Sequence, residues 1–163
     1  MGHVSIQGSK GLLQKPNSHL LRRGRYSESG RAYLVTVVVY QRRPVFNDLH
    51  LGRLLVAELK QTHDSGLVDS LAWAIMPDHL HWLFELREAT LSQVMRRVKS
   101  RSTLTINRAR RTHGAFWQSG YHDRAVRAEE DLIKVARYII ANPLRAGLVD
   151  HVGDYSLWDA AWL

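Results

Sequence analysis

The sequence predicts an α+β domain with helices packed against a mainly antiparallel sheet. Three observations carry this expectation: a β-branched run at residues 33–40, two short apolar stretches that meet at Pro77-Asp78, and apolar stripes at helical spacing in three further segments. At 163 residues and 45% hydrophobic content, the chain has the length of one ordinary domain and can bury a core without disulfides or a structural metal. We therefore expect a basic, partly extended arm over residues 1–30 and one domain over residues 31–163.

The arm mixes Gly, Ser, Pro and Arg without apolar periodicity. The run Tyr-Leu-Val-Thr-Val-Val-Val-Tyr that follows is nearly continuous, as a strand buried on both faces should be, and is expected at the centre of the sheet. Asn47 and Asp48 can cap a helix whose Leu51, Leu54, Leu55 and Leu59 share one stripe, ending near Gly66. Residues 71–76 and 79–86 read as two strands joined by a tight turn, since Pro77 presets its backbone angle and Asp78 tolerates turn geometry. Thr90 and Gln93 have the capping-box spacing, ahead of a helix with Leu91, Val94, Met95 and Val98 on its apolar side. An aromatic loop with Phe116, Trp117 and Tyr121 leads to a last helix. Its acidic start, Glu129, Glu130 and Asp131, suits a positive helix end, and Leu132, Val135, Ala136, Ile139 and Ile140 form its stripe. That helix should stop near Pro143, because the residue before a proline is pushed out of helical geometry. A further strand is expected near Ala125 or in the C-terminal tail.

The formal charge of +8 and a pI near 10.2 favour a polyanionic partner, because Lys and Arg that neutralise phosphates release condensed counterions. The charge is also unevenly distributed. Residues 89–122 contain no Asp or Glu but hold Arg96, Arg97, Lys99, Arg101, Arg108, Arg110 and Arg111, and the arm adds Lys10, Lys15, Arg22, Arg23, Arg25 and Arg31. Two solvated basic faces would give the same pattern; gripping of a phosphate backbone by Arg22, Arg23 and Arg25 and by Arg96, Arg97, Lys99 and Arg101 is the reading preferred. Trp117 and Tyr121 are candidates to stack on unpaired bases, with core packing the alternative. The apolar runs are too short for a membrane helix, residues 1–16 lack a signal-peptide core, and the expectation is a cytoplasmic protein. The chain contains no cysteine, which excludes thiolate chemistry.

Two residue pairs are candidates for chemistry. His79 and His81 lie two apart on an expected strand, so both imidazoles project from one face while Leu80 and Trp82 point the other way. They can bind a metal, or they can be satisfied by ordinary hydrogen bonds. Tyr138 and Asn142 are four apart and share one helix face beside Val135, at the edge of the apolar stripe. Tyr138 can be a nucleophile or a helix anchor, and Asn142 a site residue or the cap before Pro143. Tyr121, next to His122 and Asp123, is a rival nucleophile.

The motifs that hold these residues resemble a known family. They are Leu21-Arg22-Arg23-Gly24-Arg25 ahead of the first strand, Met76-Pro77-Asp78-His79-Leu80-His81, Phe116-Trp117-Gln118-Ser119-Gly120-Tyr121, and the run from Tyr138 through Asn142-Pro143-Leu144-Arg145-Ala146-Gly147 to Val149. In this combination, with Tyr-x-x-x-Asn-Pro beginning 57 residues after His81, the chain resembles the HUH-type single-tyrosine transposases, in the branch associated with repetitive extragenic palindromes (REP), the RAYTs.

The resemblance implies a ferredoxin-like or RRM-like fold, His79 and His81 as metal ligands, Tyr138 as nucleophile in preference to Tyr121, and Asn142 as a candidate third ligand. It implies metal-dependent cleavage and rejoining of single-stranded DNA at palindromic hairpins through a 5′-phosphotyrosine, by a chain expected to act as a monomer. A non-catalytic hairpin-binding or single-strand-binding module is the alternative. The chemistry needs charge neutralisation at the phosphate, since about 0.1% of an ordinary tyrosine is phenolate at pH 7 and the phosphate repels it. Two imidazoles and an amide oxygen suit Mn²⁺ on ligand type, whereas the family favours Mg²⁺. No nucleotide cofactor is expected, in agreement with the lack of a P-loop sequence.

Overall fold

The structure is a computed structural model that describes residues 29–127 and 129–162, with Glu129 and Glu130 as backbone alone. Nearly all of the expected arm, including Arg22, Arg23 and Arg25, lies outside these residues. The elements run β1 (Ala32–Val38), α1 (Leu49–Asp64), β2 (Val68–Met76), β3 (His79–Leu86), α2 (Leu91–Arg110), β4 (His122–Val126), α3 (Glu129–Ile140), α4 (Asn142–Arg145) and β5 (Trp158–Ala160). The strands form one antiparallel sheet in the order β4-β1-β3-β2-β5. Up to β4 the succession βαββαβ with this order is the ferredoxin-like arrangement. Strand β1 is interior, between β3 and β4, which explains why its sequence shows so little polar alternation.

The helices divide between the two faces of the sheet. On one, Tyr33, Val35 and Val37 of β1 and Leu80, Trp82, Phe84 and Leu86 of β3 pack against Leu51, Leu55 and Leu59 of α1 and Val94, Met95 and Val98 of α2. On the other, Ala32, Ala72, Ala74 and Leu83 receive Val135, Ala136, Ile139 and Ile140 of α3. The alanines leave room for the helix to settle on the strands. Leu83 fills the gap, is fully buried, and contributes about 2 kcal/mol by its removal from water.

The local signals explain most element ends. Asp48 accepts a hydrogen bond from the His50 N–H at 2.9 Å and starts α1. Thr90 and Gln93 form a reciprocal capping box at α2. Beyond α1, Gly66 adopts φ +77°, a left-handed conformation that favours glycine.

Three expectations are revised. Strand β2 begins at Val68, before the expected residue 71, and its pairing register shifts between Ser70 and Ala72; an irregular register interrupts the two-residue alternation that marks a strand. Both places considered for a further strand are strands, Ala125 lying in β4 and the C-terminal stretch supplying β5. Helix α3 does stop near Pro143, at Ile140, but a separate short helix, α4, follows it directly. Ala141 has φ −76° and ψ −6°, Pro143 occupies the first turn of α4, and Asn142 is inside that helix rather than capping the preceding one. Proline is tolerated there because first-turn N–H groups have no intrahelical acceptor.

Candidate functional site

Strand register builds the first half of the site. His81 is paired with Thr36 on β1 and Ala74 on β2, and His79 with Val38 and Met76. Directly paired residues project from the same face, so both imidazoles stand on the face covered by α3. The turn that presents them is pinned by backbone bonds from the Val39 N–H to the Asp78 carbonyl at 2.8 Å and from the Phe46 N–H to the Pro77 carbonyl at 3.0 Å.

The two Nε2 atoms are 3.1 Å apart and the rings are nearly perpendicular, at 86°. His79 Nδ1 lies 2.6 Å from Asp78 Oδ1, and a carboxylate at that nitrogen holds its proton there and leaves the Nε2 lone pair facing the site. His81 Nδ1 lies 3.0 Å from the Thr36 hydroxyl, which can donate or accept. Burial of the ring, followed by the charges of His79 and Arg145, pushes the His81 pKa down to about 4. His81 is therefore neutral at neutral pH, the form a metal requires. At Asp78 partial burial works to raise the pKa, but the His79 hydrogen bond and charge and the Arg42 guanidinium outweigh it and hold the carboxyl below its ordinary value.

Helices α3 and α4 build the second half. Tyr138 is 58% exposed, so its phenol is open to a substrate. Because α4 follows α3 directly, Arg145 returns to the same side as Tyr138. Its guanidinium carbon lies 3.8 Å from the Tyr138 ring centroid, and its Nη2 donates to the Tyr138 carbonyl at 2.7 Å and to Asn142 Oδ1. Asn142 Nδ2 is buried without a hydrogen-bond partner among the described residues.

The donor set fits an octahedral divalent cation in part. Two nitrogens 3.1 Å apart subtend a right angle at a point about 2.2 Å from each, close to an octahedral contact length. Among the described residues there is no cluster of three or more His, Cys, Asp and Glu side chains suited to a metal, so within them a third protein ligand would be of another type. The oxygen of Asn142 has two lone pairs, of which Arg145 engages one.

The remaining sequence candidates are distributed differently. Tyr121 packs with the α1 and α2 side of the core, on the opposite layer from the histidines, so it does not share their site. Trp117 is 6% exposed, stands against Phe46 and Phe116 and donates from Nε1 to Ser102 Oγ at 2.9 Å; its faces are covered, and packing is the role the structure gives it. Helix α2 also lies on the far layer. There Lys99 donates to the Gln118 and Gly120 carbonyls at 2.9 and 2.8 Å, and Arg101 pairs with Glu58 at 3.0 Å and with Gln61. Arg96 is exposed and Arg97 half-buried.

Sequence reasoning missed Thr36, Asp78 and Arg145 as site residues. Arg145 had a usable signal, three residues after Asn142 and seven after Tyr138, which is one helical face if the helix continues through Pro143. Asp78 was read for its turn geometry alone. Thr36 becomes visible only once β1 and β3 are in register.

The ferredoxin-like sheet thus carries an imidazole pair on the face that the tyrosine-bearing helix covers. The chain belongs to the family of IS200-like transposases, whose sequence model matches residues 28–142. It is 26% identical over 133 residues to the REP-associated tyrosine transposase of Escherichia coli K12, covering 80% of this chain and 77% of that protein. A Haemophilus influenzae relative is 26% identical over 137 residues, 77% of either chain. Among solved structures the fold is similar to a REP-associated tyrosine transposase bound to a REP hairpin, with TM-score 0.69 and 22% identity over 82% of this chain and 79% of that one. No helix among the described residues is long and apolar enough to cross a membrane.

Proposed function

We propose that this chain cleaves and rejoins single-stranded DNA at palindromic hairpins, through a covalent 5′-phosphotyrosine at Tyr138 and with Mg²⁺ or Mn²⁺ held by His79, His81 and Asn142. The observation that carries this reading is the imidazole pair, its Nε2 atoms 3.1 Å apart, on the sheet face that the tyrosine helix covers. Family membership supports the transposase class, and the relative solved with a REP hairpin supports the choice of substrate.

In the cleavage step the Tyr138 phenolic oxygen forms a bond to phosphorus as the P–O3′ bond breaks. The phenolic proton passes, in net balance, to the departing 3′-oxygen. One phosphodiester replaces another, so the 3′-hydroxyl can attack the phosphotyrosine and rejoin the strand without a nucleotide cofactor. A bound divalent cation supplies Lewis-acid charge at the non-bridging oxygens. The chain's own groups prepare that site: Asp78 orients the His79 ring, Thr36 orients His81, and burial keeps His81 neutral. In this reading the chain acts as a monomer, supported by α3 covering the face that carries the imidazole pair.

The test is a gel assay with end-labelled single-stranded hairpins carrying an unpaired flank, with and without Mg²⁺ or Mn²⁺. A denaturant-resistant adduct is expected only with metal, and Y138F should lose it while still binding the hairpin. An adduct that survives in Y138F sinks the nucleophile assignment; hairpin binding without cleavage under every metal condition leaves a binding module.

A further inference from the structure

Arg145 is a cation with donors to spare at the junction of the site. Its Nη2 is engaged by the Tyr138 carbonyl and Asn142 Oδ1, while among the described residues no hydrogen bond is made by its Nε or Nη1. No described carboxylate lies within ion-pair distance of it either, whereas Arg42 and Arg101 each have one and Arg87 has two. The residue is exposed and its guanidinium carbon lies over the Tyr138 ring, 3.8 Å from its centroid. Its charge also reaches His81. A guanidinium with no described carboxylate partner and with unused N–H donors, set against Tyr138 and within electrostatic reach of the imidazole pair, is suited to an anionic oxygen.

We propose that Arg145 binds the scissile phosphodiester, its free Nη1 donating to a non-bridging oxygen while Nη2 keeps Tyr138 and Asn142 in line. This deepens the function proposed above and rests on it. The cation–π contact and the two Nη2 bonds fix the guanidinium fork in advance, so that little side-chain freedom is lost when the phosphate arrives. The same guanidinium offsets the repulsion between the phosphate and an oxygen nucleophile that is losing its proton.

The experiment combines protein and substrate changes. Single-stranded hairpins are made with a neutral methylphosphonate at one linkage at a time through the unpaired flank, and their binding is measured against Y138F and against Y138F with R145A. At one linkage the neutral group should weaken binding to Y138F by about tenfold and have little effect once Arg145 is gone. Adduct formation is followed in parallel for the unmodified protein, R145K and R145A on all-phosphate DNA. We expect a loss on the order of 100-fold in R145A, a smaller loss in R145K, which keeps the charge without the fork, and partial recovery of R145A by millimolar guanidinium. A structural role alone would show no linkage-specific coupling and no guanidinium rescue, and that result overturns the proposal. Higher activity in R145A also overturns it, because the Arg145 bond to Asn142 would then be inhibitory. If the unmodified protein forms no adduct, the cleavage reading falls, while the binding cycle still decides whether Arg145 touches a flank phosphate.

Discussion

Replacing Asp78 with Asn tests whether the carboxylate tunes His79 as a ligand. The Asp78 carboxylate lies 2.6 Å from His79 Nδ1, and its side chain is 26% exposed, so the bond is partly shielded from water. In D78N the amide oxygen can still accept the Nδ1 proton, which retains ring orientation but removes the negative charge that strengthens the imidazole as a metal ligand. Changes to such outer partners typically cost about 10- to 100-fold in metal affinity, or roughly 1.4–2.7 kcal/mol. The lower end applies here, because Asp78 is not fully buried and shares its charge with Arg42 at 3.4 Å. We expect D78N to raise the Mn²⁺ concentration for half-maximal adduct formation about tenfold, with the rate at saturating metal changed by less than about twofold. D78A, which loses orientation as well, should approach the upper end. Isothermal titration of Mn²⁺ into the free protein checks the same shift without turnover. An unchanged metal dependence in both variants would refute the reasoning.

Three further outcomes follow from the geometry. His81 titrates at about 4 in the fold against about 6.5 unfolded, so the unfolded chain binds more protons between those values and stability should decline as pH falls through that window, by up to about 3 kcal/mol. Urea unfolding across pH 4–7 should show this slope, and H81Q should flatten it. R101A should destabilise the fold by about 1–3 kcal/mol, because it strands Glu58, which is 7% exposed, without its cation; thermal melts with unchanged midpoints would contradict that. R96A should leave the melting temperature unaltered and, if the outer face of α2 contacts the stem, reduce the salt slope of hairpin binding by about one.

The sheet and its helices were legible because each carries a local pattern: continuous β-branching in β1, a capping box at α2, and apolar stripes in α1 and α3. Where the pattern is broken by tertiary geometry, legibility ended. The register shift at Ser70 and Ala72 hid the first residues of β2, and β5, three residues long, is too short to show a period. In the site, the pairs His79 with His81 and Tyr138 with Asn142 follow from the spacing of strand and helix. That both belong to one layer does not, since it depends on which face of the sheet α3 covers. The basic stretch at residues 96–101 shows the opposite limit. Charge is visible in sequence, but whether a guanidinium meets a phosphate or Glu58 is decided by packing between α1 and α2.

The five residues from His79 to Leu83 place two imidazoles and the leucine under α3 on alternate positions of one strand. Adding or deleting a single residue inside this segment would exchange the two sides of the strand downstream of the change, sending either the histidines or Leu83 to the layer occupied by α1 and α2. Exposed connecting stretches such as residues 111–115 have no such parity to keep. Over evolutionary time, length variation in descendants of this chain should therefore accumulate in its connections and be purged from those five positions, where a change in count has consequences for both folding and catalysis that a change in residue type need not have.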